Sequence, residues 1–414
     1  MPLRHDLRLT LRTSRGWRLA GLAAALAACS AAVAKEATAP AASATSVAAP
    51  TPRDAARELI EAYGLREADA PASARPGWRR PKRIVVDAGI PGLVEAVRAA
   101  APADIEVLGA QPAEFAAQAA TADAAIGRTP LVCGERVAAA GAPLRWLQTI
   151  SAGVELCMAR PRIAAGEFVL TNMRAISAPV IAETSIGMLL ALTRGFTVSI
   201  PRQASGTWST DYGAVPLVSL QGKTLLVAGL GGIGSEIAKR AHALGMRVIA
   251  TRGSSRERPP YVEYVGLSEE LPQLLGQADV VADALPLTAT TRNLFDARAF
   301  ARMKRGAYFL NVGRGGTVVT ADLVAALESR QLGGAALDVT VPEPLPKDHP
   351  LWRAPNVLVT PHNSNDSDLG VEAQRRVVAE NVRRYVAGEP LLSVVDLRRG
   401  YRARGRSRAA RAAS

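Results

Sequence analysis

Short apolar runs alternate along most of the chain with longer stretches in which apolar residues recur at helical spacing. This alternation predicts an α/β fold, in which parallel β-strands are joined by α-helices that cover both faces of the sheet. The predicted strands are 81–86, 105–108, 124–126, 146–150, 224–228, 247–250, 279–282, 307–312, 335–339 and 356–360. The predicted helices are 92–98, 180–194, 235–244, 320–329 and 371–386.

Two long helices divide this pattern into lobes. The helix at 180–194 leads from the first group of strands into the second, and the helix at 371–386 would return the chain to the first group. We therefore expect two Rossmann-like or flavodoxin-like α/β lobes, the second inserted in the first. The predicted boundaries are 81–180 plus 366–396 for the first lobe and 181–365 for the inserted lobe.

A glycine-rich turn follows the predicted strand 224–228 and opens the next helix. This strand–turn–helix–strand context indicates a site for the pyrophosphate of a dinucleotide, whereas a glycine turn of another α/β protein is the alternative. The first glycine would permit a tight turn, the second close approach of the phosphates, and the last close packing of helix on strand. The N–H groups and the helix dipole would hold the phosphates. The predicted contacts are Gly229, Gly231, Gly232, Ile233 and Gly234.

The net charge of +13 would suggest a nucleic-acid or membrane partner, but most of it lies at the ends of the chain. Residues 1–34 carry +4 and residues 397–414 carry +7, which leaves +2 for the rest. A body so close to neutral gives little support to a nucleic-acid enzyme. Three cysteines are too few for a disulfide framework, and neither cysteines nor the four histidines have metal-ligand spacing.

The N-terminal 34 residues resemble an export signal, because a basic stretch precedes a short apolar run and small residues. The sequence Leu26-Ala-Ala-Cys29 resembles a bacterial lipobox, and Ala32-Val-Ala34 offers ordinary cleavage instead. We expect a periplasmic or lipid-anchored protein, with an uncleaved cytoplasmic one as the alternative. Residues 35–80 are predicted to be a linker and lead-in, and the Arg-rich tail 397–414 is predicted to be disordered.

Three polar side chains follow the carboxyl ends of three predicted strands: Arg314, Glu343 and His362. In an open parallel sheet these ends share one edge, where the glycine turn also lies. Arg314 can bind a carboxylate through its guanidinium fork, and His362 can supply a proton as a hydride arrives. Glu343 would hydrogen-bond the imidazole and fix its tautomer. Together they suit reduction of a 2-keto acid, although singly each has an ordinary structural explanation.

Several motifs carry a more specific resemblance. They are Gly229-Leu-Gly-Gly-Ile-Gly234, Leu285-Pro-Leu-Thr288, Asn311-Val-Gly-Arg-Gly-Gly-Thr-Val318, Leu337-Asp-Val339 with Pro342-Glu-Pro344, Thr360-Pro-His-Asn-Ser364 and, upstream, Ser151-Ala-Gly-Val154. With them, roughly residues 80–396 resemble the D-isomer-specific 2-hydroxyacid dehydrogenase family. One departure is Glu155, where an Asp is more usual after Gly-Val.

The resemblance implies an NAD(P)-dependent oxidoreductase that interconverts a small 2-keto acid, such as glyoxylate or hydroxypyruvate, and its D-2-hydroxy acid. It implies that Arg314, Glu343 and His362 are catalytic and that the protein is a homodimer. The implied substrate contacts are the backbone N–H groups near Ala152, Gly153 and Val154, and the further cofactor contacts are Pro286 and Asp338. A dinucleotide-sensing binding protein of the same fold is the alternative. No nucleic acid or metal is expected.

The end of the second strand of the nucleotide unit bears on the choice of cofactor. An NAD enzyme places Asp or Glu there to bind the ribose 2′-hydroxyl, but this chain has Arg252. Arg252 and Arg256 could instead pair with a 2′-phosphate, and Ser254 or Ser255 could donate to it. We therefore expect NADP to be preferred over NAD, the alternative being a solvated basic loop that leaves the enzyme indifferent.

Overall fold

The computed structural model describes residues 52–397 and 401–402, apart from residues 140, 142, 175 and 254. The predicted export signal and the first part of the predicted linker lie outside the described residues, as does most of the basic tail. Within the part that is described, no helix is long and apolar enough to cross a bilayer.

The first lobe is built on a five-stranded parallel sheet. Its strands are β1 Arg83–Asp87, β2 Glu106–Ala110, β3 Ala124–Gly127, β4 Trp146–Thr149 and β5 Val169–Thr171, in the order β2-β1-β3-β4-β5. β1, β3 and β4 are almost wholly buried because helices cover both faces of the sheet. The helices are α1 Pro52–Tyr63, α2 Leu93–Ala100, α3 Pro112–Ala119, α4 Thr129–Val132, α5 Glu135–Ala138, α6 Glu155–Met158 and α7 Pro161–Ala164.

The second lobe is built on a seven-stranded parallel sheet. Its strands are β6 Thr224–Ala228, β7 Arg247–Arg252, β8 Tyr264–Leu267, β9 Val280–Asp283, β10 Ala307–Asn311, β11 Leu332–Leu337 and β12 Val357–Val359, in the order β12-β11-β10-β9-β6-β7-β8. The strand order reverses between β6 and β9, and ligands of such sheets bind at that switch point. Its helices are α8 Ala178–Thr193, α9 Phe196–Ala204, α10 Gly232–Ala243, α11 Leu271–Leu275, α12 Ala297–Arg302 and α13 Thr320–Glu328.

The last long helix, α14 Asp368–Ala387, returns the chain to the first lobe. Val377, Val382 and Tyr385 are buried in the same apolar cluster as Ile84 of β1, and the ring of Tyr385 packs 4.8 Å from that of Trp146. The second sheet is therefore inserted between two segments that together complete the first lobe. The two-lobed α/β architecture expected from the sequence is what the structure has.

One prediction about the ends of the chain was wrong in part. Residues 52–63, in the predicted linker and lead-in, form α1, in which Leu59 packs into an apolar cluster of the first lobe and Ala56 is buried. Tyr401–Arg402 falls in the tail predicted to be disordered but forms strand β14, which pairs antiparallel with β13 Val395–Asp396. The two strands pair through their backbones, so the Arg-rich composition of this segment did not predict them.

Candidate active site

A cavity of about 900 Å³ is lined by residues of both lobes, including most of the predicted substrate and catalytic residues. β10, β11 and β12 end at this cavity, as expected for a parallel sheet whose loops carry the ligand site. The residues that line the cavity include Thr129, Ser151, Ala152, Gly153, Glu155, Arg314, Asp338, Glu343 and His362.

His362 and Glu343 form a hydrogen-bonded pair at the cavity. Nδ1 of His362 lies 2.8 Å from Oε1 of Glu343, and both side chains are about two-fifths exposed. Because Glu343 holds Nδ1, Nε2 is the ring nitrogen left to meet a substrate. His362 also has a positive φ of 54°, and its N–H donates to the carbonyl of Thr360 at 3.0 Å. A histidine in this left-handed region is uncommon and marks a backbone held by its surroundings.

Asp338, at the end of β11, holds the loop that carries His362. Its buried carboxylate accepts hydrogen bonds from the hydroxyl of Thr360 at 2.7 Å and from the N–H of Asn363 at 3.1 Å. The hydroxyl and the N–H of Ser364 also donate to it. These bonds flank His362 on both sides, so Asp338 positions the imidazole in addition to lining the cavity, where a cofactor contact was predicted.

Arg314 lies in the same cavity, and its guanidinium spans the two lobes. Nη1 donates to the carbonyl of Gly313 at 2.7 Å, and Nε donates to the Glu155 carboxylate of the first lobe at 2.8 Å. A Cβ atom on Gly153 would lie only 2.3 Å from Nη2 of Arg314. The guanidinium therefore packs directly on the backbone of the predicted substrate loop, and a side chain at position 153 would have to displace it.

The backbone of that loop is available for an anion. The N–H groups of Ala152, Gly153 and Val154 donate to no acceptor among the residues that the structure describes. The carbonyl of Ala152 accepts from the Asn172 side chain at 2.8 Å, which fixes the loop from the other side. Val154 is buried, so its side chain anchors the loop, while Ala152 and Gly153 line the cavity. Thr129, which sequence reasoning missed, lines the same cavity and donates to the Ser151 hydroxyl at 3.0 Å.

A buried polar group, also missed in the sequence, supports the Arg314 loop. The hydroxyl of Thr317 bonds both to the Arg314 carbonyl, at 2.7 Å, and to the carboxyl of Asp283. Asp283 lies at the end of β9, is fully buried and also accepts from the N–H of Leu285 at 2.9 Å. Burial raises its pKa to about 7, since the hydrogen bonds from Thr317 and Leu285 offset the desolvation of the charged form only in part.

The glycine turn has the geometry that a dinucleotide requires. Gly229 has a φ of 95°, and a Cβ atom on Gly234 would lie 2.2 Å from the Gly229 carbonyl oxygen. The turn opens α10 at Gly232, whose N-terminus is suited to phosphate. The guanidinium of Arg174, which the sequence did not single out, comes within 3.5 Å of the Cβ position of Gly231. Ile233 lines the cavity, and the carbonyl of Pro286 accepts from the Thr291 hydroxyl at 2.6 Å.

The two arginines after β7 are placed differently. Nε of Arg252 donates to the Leu230 carbonyl at 3.0 Å, which holds this side chain beside the glycine turn. Arg256 instead pairs with Glu270 at 2.6 Å and donates to the Tyr264 hydroxyl at 3.2 Å. The prediction that Arg256 also serves a 2′-phosphate therefore finds no support, because a carboxylate neutralises it. Ser254 lies outside the described residues.

A disulfide joins Cys133 and Cys157, which are both fully buried, with 4.9 Å between their Cα atoms. It links the end of α4 to α6 and thus to the segment that carries Glu155. The number of cysteines in the sequence argued only against a framework of several disulfides and did not identify this pair.

Among the described residues, no cluster of three or more His, Cys, Asp or Glu side chains is arranged to hold a metal.

Comparisons with known proteins agree with this geometry. The profile of the family "D-isomer specific 2-hydroxyacid dehydrogenase, NAD binding domain" matches residues 186–364. A glyoxylate/hydroxypyruvate reductase B of Salmonella newport is 36% identical over 220 residues, which cover 53% of this chain and 68% of that protein.

Solved structures of the same class superpose on most of the chain. A D-isomer specific 2-hydroxyacid dehydrogenase family protein from Aeromonas salmonicida matches with a TM-score of 0.68 and 32% identity, covering 77% of this chain and all of that one (100%). An NADPH-dependent glyoxylate/hydroxypyruvate reductase from Sinorhizobium meliloti, in complex with NADP and malonate, matches with a TM-score of 0.64 and 27% identity over 79% of this chain and 100% of that one. This chain therefore belongs to the D-isomer specific 2-hydroxyacid dehydrogenase family, whose members are NAD(P)-dependent oxidoreductases that interconvert 2-keto acids and 2-hydroxy acids.

Proposed function

We propose that the enzyme reduces a small 2-keto acid of the glyoxylate and hydroxypyruvate class to the D-2-hydroxy acid, with NADPH as the preferred cofactor. The observation that carries the proposal is the hydrogen-bonded His362–Glu343 pair in the same cavity as Arg314. The named activity of the Salmonella relative supports this substrate class.

The roles of the residues follow from their contacts. The bound cofactor supplies the hydride that adds to the substrate carbonyl carbon. Arg314 and the N–H groups of the loop at Gly153 hold the substrate carboxylate and orient the carbonyl. Nε2 of His362 donates its proton to the carbonyl oxygen as negative charge develops there. Glu343 holds Nδ1, so the imidazole keeps one orientation and its charged form has an anionic partner.

The residues around the glycine turn fit a dinucleotide. Gly229 and Gly234 have no room for side chains, and Arg174 brings positive charge beside the turn. The N-terminus of α10 would hold the phosphates, with Asp338 and Ile233, which line the cavity, nearer the nicotinamide end.

Steady-state kinetics with glyoxylate and hydroxypyruvate tests the proposal. His362→Ala and Arg314→Ala should each lower kcat/KM by about 10²–10⁴-fold, through loss of a proton donor and of a charge clamp. Near-normal turnover by the His362 variant would refute its assigned role. Tight NADPH binding with no turnover of any 2-keto acid by the wild type would instead favour a dinucleotide-sensing protein.

The preference for NADPH rests on Arg252, which is held beside the glycine turn without a carboxylate partner among the described ion pairs. Wild type should favour NADPH over NADH by at least ~10-fold in kcat/KM, and Arg252→Asp should reverse this. Arg256→Ala is the matched control and should leave the ratio unchanged, because Glu270 already engages Arg256. Equal use of both cofactors by wild type would show that Arg252 does not bind the 2′-phosphate of NADPH.

A homodimer is also proposed, on the basis of exposed apolar side chains around α9. Phe196 and Ile200 lie one helical turn apart and are 48% and 61% exposed, and Trp208 is 99% exposed. A cluster of large exposed apolar residues is typical of a protein interface. Light scattering should give twice the monomer mass, Ile200→Glu should reduce it, and Leu244→Ser, outside this cluster, should not. A monomer at all concentrations would refute the dimer.

Export to the periplasm, with or without a lipid on Cys29, remains a proposal as well. The Cys133–Cys157 disulfide supports it, since such bonds persist in oxidising compartments and are rare in the cytosol. Mass spectrometry of the native protein should find processing before Lys35 and no free thiol at Cys133. An intact Met1 peptide in a cytosolic fraction would contradict export.

A further inference from the structure

Glu155 places a carboxylate of the protein itself against the catalytic arginine. As the first residue of α6, it lies next to the substrate loop, and its Oε1 accepts from Nε of Arg314 at 2.8 Å. Its Oε2 lies 2.8 Å from the Cβ position of Gly153, so the carboxylate and the guanidinium lie against the same stretch of backbone. Both groups line the cavity.

Two of the N–H groups of Arg314 already have acceptors within the protein, and a third nitrogen lies against the loop. Nε serves Glu155, Nη1 serves the Gly313 carbonyl, and Nη2 faces Gly153. A substrate carboxylate that needs the guanidinium fork therefore meets a group of its own charge and geometry already bound there. Asp338 and Glu343 also line the cavity, and because both are acidic they do not offset the negative charge of Glu155.

Glu155 can leave this position. Its side chain is 48% exposed, whereas that of Arg314 is 27% exposed, so rotation of the glutamate returns its charge to solvent while the arginine stays in the cavity. An ion pair with such exposure is worth little, so an external anion can compete with it.

We propose that Glu155 is a specificity-determining residue that occupies the substrate-carboxylate position on Arg314 and must be displaced by the entering 2-keto acid. This inference rests on the proposed function. It predicts that Glu155 raises the KM of anionic substrates without taking part in the hydride or proton transfer. Binding is thereby weakened for every ligand that must place a carboxylate on Arg314, whether it carries one carboxylate or two.

Three variants test this inference through the separate effects on KM and kcat. Glu155→Gln keeps the side-chain length but removes the charge, so KM for glyoxylate should fall about 3–10-fold with kcat within about twofold. Glu155→Asp keeps the charge but is too short to keep the contact, so KM should fall in the same direction by less. Glu135→Gln, which removes an exposed charge from the same lobe away from the cavity, should leave KM unchanged.

Binding of oxalate, a dicarboxylate that is not reduced, gives a readout independent of turnover. Its inhibition constant should fall in Glu155→Gln by the same factor as KM. An unchanged or raised KM and inhibition constant in an active Glu155→Gln enzyme would overturn the inference while leaving the proposed function intact. Absence of 2-keto acid turnover in wild type as well would overturn the proposed function itself.

Discussion

Asp283→Asn should make the stability of the enzyme less sensitive to pH. In the wild type the fully buried carboxyl has a pKa of about 7, against 3.8 for an ordinary aspartate, because burial disfavours its charged form. Asparagine has the same shape and could keep both hydrogen bonds, since its amide can donate to Thr317, which can still donate to the Arg314 carbonyl. The substitution therefore removes the titration while retaining the packing.

The direction and size of the effect follow from linkage. The pKa of Asp283 is higher in the folded state than in the unfolded state. Its protonated carboxyl therefore makes its full contribution to the free energy of unfolding below about pH 4, and this contribution is lost as pH rises towards 7. Each pH unit in that window corresponds to about 1.4 kcal/mol, so the whole displacement is on the order of 4 kcal/mol. Relative to wild type, Asp283→Asn should therefore gain stability progressively between pH 4 and 7 and no more above it.

Urea unfolding at constant ionic strength between pH 4 and 8 measures this difference. Asp279→Asn, beside the same strand, is a control that should show no pH trend in this range. Burial opposes ionisation of Asp279, but the Thr224 N–H and Lys304 outweigh it and lower its pKa. Removing that carboxyl should therefore cost the same stability at every pH from 4 to 8, because its contribution is lost only as pH falls below about 4 towards the lowered folded pKa. A difference between wild type and Asp283→Asn that stays flat across the range would refute the assignment of a neutral buried Asp283.

Three further predictions concern stability and the two glycine positions. Cys133→Ser with Cys157→Ser should lower the free energy of unfolding by about 3 kcal/mol, from a sequence separation of 24 residues, and reductant should then have no further effect in urea unfolding; equal stability with and without the bond would contradict this. Gly153→Ala should lower kcat/KM for glyoxylate by at least ~10²-fold because its Cβ displaces Arg314, whereas Gly187→Ala, which meets nothing within 4 Å, should not; full activity of the first variant would exclude the close packing. Gly234→Ala should raise the Kd of NADPH at least ~10-fold in fluorescence titration, because its Cβ would lie 2.2 Å from the Gly229 carbonyl oxygen, while Gly187→Ala should bind normally; an unchanged Kd in Gly234→Ala would refute the close packing of the helix on the turn.

Most of the strands, and the meeting of Arg314, Glu343 and His362 at one cavity, were predictable because their signals are local. Strands such as β6 and β10 are buried on both faces and form nearly continuous apolar runs, and chain order alone places the glycine turn after β6 and Arg314 after β10. Short edge strands carry a weaker sequence signal. β8, at one edge of the second sheet, is only four residues long and includes a glycine, and it was not predicted.

What the sequence could not show were contacts between distant segments. The pairing of Glu155 with Arg314 joins residues 159 positions apart, and Asp283 meets Thr317 across 34 positions. Nothing near Arg256 revealed that Glu270 would neutralise it, because that contact depends on the path of the chain between β7 and α11. This contact disfavours the role predicted for Arg256 at a 2′-phosphate.

The return of α14 to the first lobe has a consequence for synthesis on the ribosome. Val377, Val382 and Tyr385 fill a core whose strands were made before the whole second lobe. At about 5–20 residues per second, the first sheet waits on the order of ten seconds or more for the helix that covers it. During that interval, the apolar face of β1 and β4 that later meets α14 remains uncovered. A nascent chain in this state offers a chaperone or an export machinery a long interval in which the first lobe is still unfinished.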